Sequence, residues 1–137
     1  MMHKGWILLL VLGVFVGCSV FQREEEITTV NLKPGTPAYY DFIAQNYYQR
    51  RKYKQAIYYY NFILEEFSDQ PEQYGVELAW ATYEIGFCYY KMKQYELAYV
   101  QFELVIANYK DWAAVTLARQ RLRFLETKFP KLFSTQS

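Results

Sequence analysis

The feature that most constrains this chain is that it matches itself at an offset of 42 residues. The stretch RKYKQAIYYYNFILEEFSD (residues 51–69) lies over KQYELAYVQFELVIANYKD (residues 93–111). Tyr53 falls on Tyr95, Ala56 on Ala98, Tyr60 on Phe102, Ile63 on Val105, Leu64 on Ile106, Phe67 on Tyr109 and Asp69 on Asp111. Upstream the register continues, with Ile43 over Ile85, Ala44 over Gly86, Tyr47 over Tyr89 and Tyr48 over Tyr90. A fixed period of this size marks stacked supersecondary units, none of which buries its apolar side alone.

Within each unit the apolar residues recur at helical spacing. The chain has four prolines, and none interrupts the long periodic stretches. The fold class is therefore all-α, with helices predicted over residues 37–50, 53–68, 72–92, 95–109 and 112–128. Thr36 is placed to cap the first helix, with Pro37 at its first position, and Asp111 to cap the last. Leu117, Leu122 and Leu125, with Ala118 and Arg121, divide the last helix into an apolar and a basic side. Its arginines 119, 121 and 123 read as a solvated face. At 53% hydrophobic and 20% aromatic residues the chain is too apolar to stay disordered. One glycine is unexpected. Gly86 lies inside a predicted helix, where it costs about 1 kcal/mol against alanine.

The N-terminus reads as an address. Residues 1–17, MMHKGWILLLVLGVFVG, carry one lysine before an apolar run from Trp6 to Val16. As a helix that run spans about 16 Å, too short for a hydrocarbon core of about 30 Å, and its layout fits a signal peptide. The run ends in FVGCS, which resembles the lipobox of bacterial lipoproteins, with Phe15 where leucine is usual. That resemblance implies cleavage after Gly17 and a diacylglycerol on the Cys18 thiol, with further acylation (palmitate) of the new amino group. Each buried methylene adds about 0.8 kcal/mol to such an anchor. Residues 18–36 lack helical periodicity and read as a lipidated tether, the acidic run Glu24–Glu26 being a solvated spacer. Residues 37–129 form the folded domain and 130–137 a C-terminal tail. With Cys18 acylated, Cys88 has no disulfide partner and reads as a small buried residue.

The repeat residues resemble the tetratricopeptide pattern, which places small and aromatic side chains at fixed positions. The first unit supplies Ala44, Tyr47, Tyr53, Ala56 and Tyr60, and the second Gly86, Tyr89, Tyr95, Ala98 and Phe102. The resemblance implies a short solenoid of about five antiparallel helices: two repeats and a C-terminal capping helix. It also accounts for Gly86, since the small residues mark where paired helices cross closely. The period exceeds the usual 34 of such repeats, and the excess falls in QPEQYGVE, lengthening the third helix at its start. With the lipobox and the ending Tyr109-x-Asp111…Ala118-x-x-Arg121-Leu122-x-x-Leu125, the chain resembles tetratricopeptide lipoproteins of the outer-membrane assembly (BamD-like) group and the periplasmic TolA-binding repeat proteins. Those proteins carry more repeats, so no partner-specific residue transfers.

In such arrays the first helix of each repeat lines a peptide groove. The matching positions are Trp80, Tyr83, Phe87, Tyr90 and Lys91 in the second repeat, and Ala38, Asp41, Gln45, Tyr48 and Gln49 in the first. The aromatics step by three and four residues and so form one stripe. Two readings stand: an open groove that anchors a peptide, or a stripe covered by neighbours, because the helix is apolar nearly all round and only Glu84 and Lys91 mark a polar edge. Tyr58 and Tyr59 form a second aromatic pair on the outer side.

Nothing in the sequence points to catalysis. The one histidine is His3, within the expected signal peptide, and phosphate loops and zinc-spaced cysteine pairs do not occur. No metal or other cofactor is expected. A net charge of +1 gives no sign of nucleic-acid binding. The expected function is a non-catalytic, lipid-anchored scaffold for protein–protein interaction at the bacterial envelope, as in outer-membrane protein assembly. Its partner would be an envelope protein or peptide, and it would face the periplasm from the outer membrane, or lie on the cell surface where a bacterium lacks that membrane. The alternative is a structural subunit of an envelope, secretion or pilus complex that uses its aromatic surface for self-association.

Overall fold

A computed structural model describes residues 32–133. Cys18, the expected signal peptide and most of the tether lie outside the described residues. Among the described residues all regular structure is helical: α1 (Pro37–Gln49), α2 (Tyr53–Phe67), α3 (Pro71–Lys91), α4 (Tyr95–Asn108), α5 (Trp112–Lys128) and the single turn α6 (Pro130–Phe133).

Local chemistry sets the boundaries. The Thr36 hydroxyl accepts from the Tyr39 N–H at 3.4 Å, and Pro37 occupies a position whose missing N–H is harmless. The Asp111 carboxylate accepts from the Ala114 N–H at 2.8 Å and so starts α5. The ends of α1 and α3 are near copies, 42 residues apart. Arg51 and Lys93 take left-handed backbones, with φ 59° and 61°. The Arg51 and Lys52 N–H groups return to the Tyr48 and Tyr47 carbonyls, both at 2.9 Å, and those of Lys93 and Gln94 to Tyr90 and Tyr89, both at 3.0 Å. This is the two-bond helix stop that normally ends on glycine. The first turn of α3 is offset from the rest by a non-helical backbone at Tyr74, whose ring packs edge-on against Phe67 of α2.

Loops of three residues turn each of α1 to α4 back so that the next long helix packs against it. α1, α3 and α5 also touch in sequence, which makes them one row, with α2 and α4 packed against it. α3 is the wall shared by two cores. Leu78, Ala81, Ile85 and Cys88 face one, with Ala44 of α1 and Ala56, Ile57, Tyr60 and Ile63 of α2. Ala79 and Tyr83 face the other, with Ala98, Phe102 and Val105 of α4 and Ala114, Ala118 and Leu125 of α5. A helix buried on two sides is apolar nearly all round, which explains its sequence. Thr82 is the buried polar exception; its hydroxyl donates to the Leu78 carbonyl at 2.9 Å and lies 3.2 Å from the Tyr109 hydroxyl.

α3 and α4 meet at Gly86. A Cβ there would stand 2.9 Å from Cε1 of Phe102 and 3.0 Å from Cβ of Gln101. The Phe102 ring is fully buried and cannot retreat. Residues 130–133, assigned by sequence to the tail, form a helical turn joined to this half: Phe133 stacks on Tyr99 at 4.6 Å, and Phe129 on Tyr95 at 4.1 Å. The Tyr99 hydroxyl also donates to Glu126 at 2.8 Å.

Two glycines of α3 give opposite expectations. Gly75 has nothing within 4 Å of a notional Cβ, so Gly75→Ala should stabilise the chain by about 0.5–1 kcal/mol. Gly86→Ala gains the same helix preference but overpacks Phe102, and should lose about 1–2 kcal/mol net. Urea unfolding of both variants checks the pair; equal effects would contradict the close crossing. In the same assay Lys93→Gly should gain about 1 kcal/mol by relieving its left-handed backbone.

Candidate functional site

The α1–α3–α5 row carries most of the chemistry. Trp80, Tyr83, Phe87 and Tyr90 run along α3 with successive ring centroids 5.7, 6.3 and 5.9 Å apart. Phe87 is the hub. Tyr48 of α1 stacks on it at 6.0 Å, and Lys91 lies over it at 5.7 Å. The Arg121 guanidinium, from α5, sits 4.7 Å from its centroid. Arg121 Nε also donates to the Tyr83 hydroxyl at 3.2 Å, and Phe124 of α5 meets Tyr90 edge-on at 6.0 Å.

The stripe is neither fully open nor fully covered. Trp80, Phe87 and Tyr90 are half-buried and Lys91 is exposed. Tyr83, placed by sequence among the groove positions, is buried at 4% exposure against Phe102, so for this residue the covered reading of the stripe holds. Its hydroxyl oxygen accepts from Arg121 Nε. In the first repeat Gln45 and Gln49 are exposed and Tyr48 half-buried. The small and aromatic repeat residues lie deeper. Ala44, Ala56, Ala98, Phe102, Tyr60 and Gly86 are buried, while Tyr47, Tyr53, Tyr89 and Tyr95 are half-buried around them. Tyr58 is 65% exposed on the opposite side, and Tyr59 stacks on Tyr47 at 5.4 Å.

One expectation about charge is corrected. Arg121 is not part of a solvated face: Arg119 and Arg123 are exposed, but Arg121 is half-buried and lies across α3. A planar, weakly hydrated guanidinium stacks on an aromatic ring at low cost. The signal was present, because Arg121 shares a stripe with buried Ala118 and Leu125, three and four residues away. Glu84, read by sequence as marking a polar edge, is drawn inward. It is half-buried and lines, with Asp41, Gln45, Glu77 and Trp80, a pocket of about 300 Å³ between α1 and α3. The Gln45 amide donates to Asp41 at 2.6 Å.

Burial dominates the electrostatics. It pushes Glu84 up to about 7, helped by the Asp41 carboxylate and opposed by Arg121. Burial also raises Asp41, while the Gln45 hydrogen bond lowers it. The Tyr48 phenol is pushed up to about 12, first by burial, then by Tyr53 and Glu84. Buried Cys88 is a free thiol pushed up to about 12 by burial and Glu84, which suppresses the reactive thiolate. Among the described residues no cluster of three His, Cys, Asp or Glu could hold a metal, and no helix is long and apolar enough to cross a membrane. What the arrangement offers is an aromatic platform with one acidic recess.

No family model, curated protein or solved structure matches the chain.

Glu84 makes stability depend on pH. Its folded value of about 7 lies above the ordinary 4.5, so the folded state holds the proton more tightly. Its contribution to folding is complete below about pH 4.5 and lost as pH rises through about 7. Glu84→Gln stays neutral throughout. Relative to the parent it should gain on the order of 2 kcal/mol between about pH 5 and about pH 8, read by denaturant unfolding at each pH. A constant difference across that range would contradict a buried, proton-holding Glu84.

Proposed function

We propose that this protein is a short tetratricopeptide-type solenoid, anchored by acyl chains on Cys18, that acts as a non-catalytic scaffold for protein–protein interaction at the bacterial envelope. The outer-membrane assembly lipoproteins that its sequence resembles suggest the setting. The chain holds a polypeptide partner on the α1–α3–α5 row and is kept near the membrane by its anchor, with the tether supplying reach. Its contribution is geometric.

The observation that carries this reading is the half-buried run of Trp80, Phe87 and Tyr90 beside a pocket on the same row. Large rigid aromatics partly open to solvent are the side chains that most often anchor a protein interface. The repeated helix stops at Arg51 and Lys93, and the Gly86 crossing, support the solenoid assignment. The lipobox-like residues Val16, Gly17 and Cys18 support the anchor.

Site-specific photocrosslinking in intact cells tests the proposal. A benzophenone amino acid is placed at position 80, 87 or 90 of the full chain, with position 58 on the opposite side as control. The expected result is one heterologous protein adduct from the row positions and none from position 58. Adducts only between copies of this chain would favour self-association in an envelope complex. No adduct from any row position would overturn the scaffold reading.

A further inference from the structure

The pocket between α1 and α3 is an apolar groove whose charge selects its occupant. Its apolar lining is Pro37 and Ala38 at the start of α1, Ile63 of α2, and Val76 and Trp80 of α3. Three of its lining residues are acidic, Asp41, Glu77 and Glu84, and none is basic. Glu77 and Glu84 are two helical turns apart and flank Trp80, so their carboxylates sit on its side of α3. The cation nearest in influence, Arg121, already engages Phe87 and Tyr83. Asp41 is held by the neutral Gln45 amide.

We propose that this groove takes the basic side chain, arginine or lysine, of the polypeptide partner. Its aliphatic stem would lie along Val76, Ala38 and the Trp80 ring, and its cationic head would reach Asp41 and Glu84. The volume of about 300 Å³ lies at the small end of ligand sites, suited to one long side chain rather than a cofactor. Stem on apolar surface and head on carboxylate is how such side chains divide themselves between environments. The Trp80 face adds attraction for a cation. The inference rests on the scaffold reading.

The test is NMR of the full-length protein at about pH 8, where Glu84 is ionised, following the Trp80 indole N–H and the Gln45 side-chain amide. The probe is N-acetyl-arginine methylamide; its neutral isostere, the citrulline derivative, and calcium chloride at equal concentration are controls. Saturable shifts at both reporters are expected with the arginine probe alone, with a dissociation constant on the order of 1 mM. Asp41→Asn combined with Glu84→Gln should weaken binding at least about tenfold. Ala38→Trp, which fills the groove and keeps both carboxylates, should abolish it. Equal shifts from citrulline or calcium, no shift at all, or full binding by either variant would overturn the proposal. These outcomes separate from the scaffold reading: a heterologous photocrosslink from position 87 or 90 without arginine binding leaves the scaffold standing and removes the basic side chain.

Discussion

The whole domain depends on one helix being buried on two sides at once. α3 gives Leu78, Ala81, Ile85 and Cys88 to one core and Ala79 and Tyr83 to the other, and its backbone at Gly86 lies against Phe102. Neither half of the molecule has a complete apolar interior without it. This makes the two repeats one body: α1 and α2 close on one side of α3, α4 and α5 on the other. Because the interior is close-packed, a single added methyl group at the crossing is felt.

The same helix builds the candidate site. Residues that fill the cores alternate with Trp80, Phe87 and Tyr90, which emerge between α1 and α5 and stay partly open. Two charged groups are drawn into this layer in different ways. Arg121 is held by the Phe87 face and the Tyr83 hydroxyl oxygen, an arrangement that suits a planar, weakly hydrated guanidinium. Glu84 has no comparable partner and answers burial by keeping its proton to higher pH. Platform and recess are therefore electrostatically distinct parts of one surface.

Much of the fold was legible because local signals agreed. Period, caps at Thr36 and Asp111, and the Pro37 start located the long helices to within a residue or two. The kink at Tyr74 was not read from the sequence, although Gly75 follows it directly. Site legibility was poorer. Positions along one helix show which residues share a stripe, but exposure depends on what the neighbouring helices bring. The sequence therefore left Tyr83 undecided between open and covered, marked Glu84 only as a polar edge, and misplaced Arg121 as solvated. Their true surroundings come from residues 38 and 43 positions away in sequence, Arg121 beside Tyr83 and Asp41 near Glu84.

The central claim, that α3 is the common wall of both cores, is tested most directly by native-state hydrogen exchange on the full-length protein. The account requires the amides of residues 78–88 to open only with global unfolding, at a free energy equal to or above those of α2 and α4. Exchange of that segment through a cheaper opening, while α4 and α5 remain protected, would show that the second core stands without it and would contradict the account.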